Sequence, residues 1–426
     1  MKDTVTHLDT YEDFLEKLKK AVENISDDVV IPIIYSDIKH FKYFNDTYGY
    51  KMGDELIAEF AKEVSSDEQT FICGSRVVSD NIVTAGYVSA RLPKESMYKF
   101  ICQVNNEIEE KLCKRFNCRR LRLTTGVFYI TKDNKDMDVE TAISNANLAR
   151  KQAKESRNET VVLFTDDMAR NLNNEIEILN SIRDAIKDGE LMPYYQPKID
   201  SDTGKIGGAE ALVRWRKPNG SFIYPDQFIP AIEKSGQITE VDYFMYEEVF
   251  KFIHEKLDKG QKIVPISLNV SRVHLKNLDI VDKIMALMDK YSVPPEYLEF
   301  EITESTCMDN PDKAIKFIEK LHNMGIKVSM DDFGTGYSSL NMLSEVSFDV
   351  IKLDKAFLKT VELKKKEKVI LANIINMARE LGMKSLCEGV ETEDQSVFLK
   401  EIGCNIQQGY FFSKPVPRGV FEAMLA

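Results

Sequence analysis

No stretch of this 426-residue chain stays apolar long enough to span a bilayer, and its opening, MKDTVTHLDTYEDF, is too polar for a secretory leader. A soluble, cytoplasmic chain with no membrane segment is expected. CxxC spacing is also absent: the seven cysteines, an odd number, are scattered singly. The scatter suggests neither a disulfide framework nor a zinc site, and it fits reduced thiols. Cys387 stands beside Glu388 but has no histidine near it in sequence, which favours a buried structural thiol over a nucleophile. Cationic stripes are missing too. With a net charge of −12 and its Lys and Arg interspersed among acids, the chain is unsuited to wrap polymeric DNA or RNA, although local cations can still meet a small anion. There is no long structureless tract, and 43% hydrophobic and 30% charged residues are the shares of a globular chain.

What is present divides in two, as the length leads one to expect. After the helical opening TYEDFLEKLKKAVENI comes the buried-strand run VVIPIIYSDI, then a helix through DELIAEFAKEV, then strands at FICGSRVVSDNIVTAGYV and LRLTTGVFYI. This α+β pattern ends near Val161–Phe164, so the first domain is placed at 1–165. Residues 166–182 read as a polar helical linker. From 183 to 426 the rhythm becomes strand then helix: PYYQPKI, GGAEALVRW, KIVPISLNV, LEFEITES, KVSMDD, FDVIKLD, MKSLCEGVE and NIQQGYFF. Eight strand-like runs in about 235 residues predict an α/β fold, a TIM-like (β/α)8 barrel, and the closeness of the first two runs suggests an antiparallel first strand.

Barrels of this kind build their sites at the C-terminal strand ends. Here those ends carry Glu210, Asn269, Glu301, Asp331, Asp332, Lys352, Glu388 and Gln408. A lone Asp-Asp before a glycine reads first as a solvated turn. Set among so many acids, the pair asks for compensation, because adjacent buried carboxylates repel. All-oxygen ligands suit two hard dications, Mg²⁺ or Mn²⁺, with Asp331 bridging and Asp332 turned to the second. A two-metal phosphodiester hydrolase follows. In it Lys352 orients the attacking water, and Arg214, two residues past Leu212, meets a phosphate. The glycine-bearing loop FGTGYSSL reads as a flap, with Glu304 a candidate to pin it.

The segments YYQPKI, AEALVRW, ISLNVS, FEITES, MDDFGTGYSSL, IKLDK, CEGVET and QQGYFFSKP resemble the successive motifs of the EAL domain, the bacterial phosphodiesterase of cyclic di-GMP. The resemblance implies hydrolysis of cyclic di-GMP to linear pGpG and a homodimer. By position it makes Glu210, Asn269, Glu301, Asp331, Asp332 and Glu388 metal ligands, with Lys352, Glu388 and Glu210 catalytic. It likewise puts Gln196, Leu212, Arg214 and Gln408 at the substrate, and Glu304 and Glu391 in support of the flap. A non-catalytic cyclic di-GMP receptor is the rival, and it would be expected to show lost ligands, whereas none is substituted here.

The first domain resembles the GGDEF, or diguanylate cyclase, fold, through SDIKHFKYFNDTYGYKMGDEL, RVVSDNIV, TTGVFYI and LARKQAKESRNETVVLF. That implies a central, mainly antiparallel sheet. In place of Gly-Gly-Asp-Glu-Phe stand Val78, Ser79, Asp80, Asn81 and Ile82, and valine takes glycine's conformations only at a cost. Lys39 replaces the family's second acid, and Gln69 to Ile72 lack its RxxD inhibitory motif. No cyclase activity is expected. Asp37, Asn45 and Asp54 remain, which leaves weak GTP binding and a purely structural module as open alternatives.

Overall fold

Val29–Ile38, β-branched and apolar on both faces, becomes the central strand β1 of the first of two sheets. The computed structural model describes residues 2–67, 69–118, 120–156, 158–276, 278–334, 343, 345–359 and 365–426. They fall into two units, Met1–Asn174 and Glu175–Ala426.

In the first unit β1 is followed by β2 (Phe71–Val78), β3 (Asn81–Gly86), β4 (Val88–Ser89), β5 (Leu123–Ile130) and β6 (Val161–Leu163). The order is β2-β3-β1-β5-β6, with β4 on β1, and β6 alone pairs in parallel. Strand alternation sends Ile31 and Ile33 to one face, against Phe14, Leu18 and Ala146 of helices Tyr11–Glu23 and Val139–Glu155. Ile38 and Leu123 lie on the other face, against Phe44, Phe60 and Leu112. The sheet is therefore α+β and mainly antiparallel, as the sequence suggested.

The second unit contains β7 (Leu191–Asp200), β8 (Ile206–Arg216), β9 (Phe222–Ile223), β10 (Ile266–Asn269), β11 (Leu298–Thr303), β12 (Lys327–Phe333), β13 (Val350–Leu353), β14 (Lys384–Cys387), β15 (Ile406–Gln407) and β16 (Val416–Pro417). β7, β8 and β10 to β15 close into a barrel, while β9 and β16 extend its rim. From β8 round to β15 every barrel pairing is parallel; β7 runs antiparallel to both neighbours, the exception anticipated from the short first connection. The stretch 166–182, read as a linker, lies within the helix Asp166–Lys187, and Ile178 and Ile182 pack into the barrel's core.

Bulky residues such as Trp215, Phe228, Phe250, Phe300 and Phe317 are fully buried in that core. The inward strand faces differ: Lys198, Glu210, Ser267, Glu299, Glu301, Ser329 and Lys352 are all buried. Branched apolar layers usually plug such a barrel, so a polar interior marks a site. The seven cysteines are free, and Cys387 is buried as expected. Among the described residues no helix is long and apolar enough to cross a membrane.

Candidate active site

Side chains on a strand alternate, so each parallel strand can present one inward group at its C-terminal end. β8 presents Glu210, β10 Asn269, β11 Glu301, β12 Asp331 and β13 Lys352. Glu388 and Gln408 stand just past β14 and β15. They converge on a single ammonium. Lys352 Nζ lies 2.7 Å from Glu388 Oε1, 3.1 Å from Asp331 Oδ1 and 3.7 Å from Glu210 Oε2, and it also pairs with Glu301. Glu210 is held from its other side: Gln408 Nε2 donates to Oε2 at 2.6 Å and Asn269 Nδ2 to Oε1 at 3.2 Å. Gln408 Nε2 also donates to Gln196 Oε1 at 3.2 Å, so eight of the residues singled out in the sequence form one network.

Two neighbours on a regular strand would face opposite ways, and β12 departs from regularity where its aspartates sit. Its register against β13 shifts between Met330 and Phe333, and Asp332 has φ 56°, in the left-handed region that aspartate visits more readily than most side chains. The Asp332 N–H donates to Asp331 Oδ1 at 2.9 Å, which steadies the turn. The bulge leaves Asp332 near enough to Lys352, Glu210 and Glu301 to feel their charges.

Charge governs the chemistry. Burial raises the carboxyl pKa of Glu210 and Asp331 despite the pull of Lys352, and the charge of Glu301 adds to both. Burial also raises Asp332, helped by Asp354, and pushes Glu388 up to about 7. Glu301 goes the other way. Burial works against its charged form, but Lys198 and Lys352 outweigh it and bring the carboxyl down to about 2. Lys352 suffers the same desolvation, yet Glu210, Glu301, Glu388 and Asp331 hold it well above an ordinary lysine.

Glu210, Glu301, Asp331, Asp332 and Glu388 face only Lys352 and Lys198 here, so the cluster holds more acids than lysines. Among the described residues no three Asp, Glu, His or Cys side chains close around a common point at metal-ligand spacing; the carboxylates gather about Lys352 instead. The donors are nevertheless all oxygen, the acids outnumber the lysines, and among the described residues the buried Gln408 Oε1 has no hydrogen-bond partner. This set fits hard divalent cations.

The remaining expected residues lie around this network. Leu212 and Arg214 line a cavity of about 290 Å³ that also touches Glu210 and Asn269. Arg214 Nη1 donates to Val213 O at 2.8 Å, and burial lowers the guanidinium's pKa. Glu304 Oε2 accepts from the Gly334 N–H at 3.0 Å, at the start of the expected flap, whose residues 335–340 lie outside the described ones. Glu391 is exposed, and among the described residues its side chain has no bond to the network; its backbone N–H donates to Gln395 Oε1. Two residues escaped the sequence reading. Lys198 Nζ lies 2.8 Å from Glu299 Oε1 and 2.9 Å from Glu301 Oε1. The signal was alternation: Lys198 follows Gln196 by two, and Glu299 precedes Glu301 by two.

In the first unit Asp37 is buried and tied by Arg150 Nη1 at 2.6 Å, by Lys154 and by Thr124. The turn between β2 and β3 places its positive φ at Ser79, not at Val78, and Asp80 Oδ2 accepts from the Ile38 N–H at 2.8 Å. Asn45 lines a cavity of about 500 Å³ with Lys42, Ser79 and Asp80, while Asp54 is exposed.

Residues 179–415 match the EAL domain family, and residues 1–160 match the family described as diguanylate cyclase, GGDEF domain. The chain is 29% identical over 433 residues to the bifunctional diguanylate cyclase/cyclic di-GMP phosphodiesterase MucR of Pseudomonas aeruginosa, covering 100% of this chain and 62% of that one. It is 31% identical over 410 residues to the signaling protein YkoW of Bacillus subtilis, covering 92% and 49%. The chain thus spans about half to three fifths of the length of these curated relatives. Among solved structures, the PaMucR phosphodiesterase in complex with c-di-GMP is 34% identical with a TM-score of 0.55, covering 57% of this chain and 99% of that one. An EAL domain protein from Listeria monocytogenes is 33% identical with a TM-score of 0.50, covering 57% and 96%.

Proposed function

The chain belongs to the EAL family, with a GGDEF domain ahead of its barrel, and from this we propose that the barrel hydrolyses cyclic di-GMP to linear pGpG. One observation carries the reading: Glu210, Glu301, Asp331 and Glu388 converge on the buried Lys352, with Asn269 and Gln408 bonded to Glu210 behind them. The relatives named as phosphodiesterases and the solved MucR complex support the substrate.

In the reaction a water oxygen bonds to one phosphorus in line with the P–O bond that breaks; the freed ribose oxygen takes a proton from solvent and leaves as a hydroxyl, and one phosphodiester and one terminal phosphate remain. Lys352 keeps its proton in the site, so its ammonium orients that water and offsets charge gathering on the phosphoryl oxygens. Glu388, with its carboxyl near neutrality, is suited to take the water's proton. Arg214 offers its fork to the phosphate, and Gln196 and Leu212 border the ring. Glu210, Asn269, Glu301, Asp331, Asp332 and Glu388 would hold two divalent cations, Mg²⁺ or Mn²⁺, which when bound polarise the phosphoryl group and acidify water. The first unit is inactive as a cyclase in this reading. Arg150 and Lys154 already neutralise Asp37, where a nucleotide-bound cation would need it, which also opposes GTP binding.

The test is to incubate the purified protein with cyclic di-GMP and Mg²⁺ or Mn²⁺, with an EDTA control, and to follow products by chromatography. Metal-dependent pGpG is the expected result. Tight binding without turnover in either metal would replace the enzyme by a receptor.

A further inference from the structure

We infer that Lys198 is a positioning residue for the hydrolytic site, fixing the Glu301 carboxylate by gripping one of its oxygens so that the other faces Lys352 and the barrel mouth. The inference rests on the metal-assisted reading above. Two facts carry it. Lys198 is 4% exposed and Glu301 1%, so neither is held by solvent. Lys198 takes Glu301 Oε1 while Lys352 takes Oε2, so the two oxygens are divided between two cations at different depths in the barrel.

Glu299 supplies the counter-charge that makes a buried lysine tolerable, 2.8 Å from its Nζ. It opens on a separate cavity of about 510 Å³, bordered by Lys198, His322, Lys327, Asp349 and Lys384, around the N-terminal strand ends. Glu299, Lys198, Glu301 and Lys352 thus alternate in charge from that cavity to the active site. A lysine present only to satisfy Glu299 would not need Glu301; one that fixes a ligand carboxylate from behind resembles the outer partners that tune metal sites, whose loss costs about 10- to 100-fold in affinity or activity.

The variants Lys198→Met, Glu299→Gln and the double variant separate these roles. Lys198→Met strands Glu299 and should lower the melting temperature. The double variant removes one charge of each sign and should melt near the wild type. In that variant Mn²⁺, titrated and read by electron paramagnetic resonance of the free ion, should bind about tenfold more weakly, and kcat should fall about tenfold while KM stays within about twofold. Glu299→Gln alone, which keeps the Lys198–Glu301 pair, should lose no more than about threefold in Mn²⁺ affinity. Recovery of Mn²⁺ affinity and kcat together with melting temperature in the double variant would overturn the inference, as would an equal loss in Glu299→Gln. A wild-type chain that binds no Mn²⁺ would remove the metal reading and this inference with it.

Discussion

Lys352 carries four ion pairs while being 1% exposed, so its removal is informative only when binding and turnover are measured apart. Lys352→Ala should reduce kcat on the order of 10²-fold with little change in KM, since an oriented donor is felt mainly in the transition state. A rise in KM with kcat unchanged would make it a binding residue. Asp331→Asn should bring metal-dependent turnover down by a similar factor or more, because the proposed two-cation site would lose a shared charge. Glu388 yields a pH prediction. Burial pushes its carboxyl up to about 7, so below that pH the unliganded site keeps a proton that a bound dication must displace. Mg²⁺ binding should therefore release more protons at pH 6.5 than at pH 8, as calorimetry in buffers of differing ionisation enthalpy would report. Equal release at both pH values would mean Glu388 is ionised throughout. The same sign makes this group's contribution to stability largest below the unfolded carboxyl pKa and lost as pH rises through 7.

At the scale of elements, β12 explains what the sequence could and could not announce. Its two aspartates stand out in the chain, and strand-end logic assigns them a site, but strict alternation would have sent Asp332 outward. The register shift and the left-handed backbone are tertiary events with no mark in MDDFG beyond aspartate's tolerance of that conformation. Lys198 and Glu299 share the inward period-two face of Gln196 and Glu301, but each taken singly carries no motif that marks it. Glu391 was proposed by motif position alone as a flap support, and it stands at the surface while flap residues 335–340 lie outside the described ones. Asp332→Gly should then raise the melting temperature slightly, by at most about 1 kcal/mol of stability, while turnover is lost. A fall in stability would show that the aspartate's contacts outweigh its strain. The loops bearing Glu388 and Gln408 are as tightly determined. A Cβ on Gly409 would lie 2.1 Å from Val390 O, and Val390 N donates to Gln408 O at 3.1 Å. Gly409→Ala should cost about 1–3 kcal/mol and loosen both side chains together, visible as a joint fall in melting temperature and kcat.

For the molecule as a whole, each unit closes its own hydrophobic core, which is what the change of rhythm near residue 166 conveyed. A fragment of residues 166–426, keeping the helix Asp166–Lys187 intact, should fold and hydrolyse cyclic di-GMP with kcat within about tenfold of the longer chain. Failure of a folded fragment to turn over would make the first unit necessary for catalysis. Lastly, the reversed direction of β7 fixes where the polypeptide is delivered. In an all-parallel barrel the first strand is entered from the end remote from chemistry. Here β7 opposes β8, so Leu191 arrives at the catalytic rim and the chain descends past Gln196 to Lys198. The helix Asp166–Lys187 is thus spliced, by a short covalent lead, to the strand bearing Gln196, and a tug on that helix is delivered to the working end of the barrel rather than to its base.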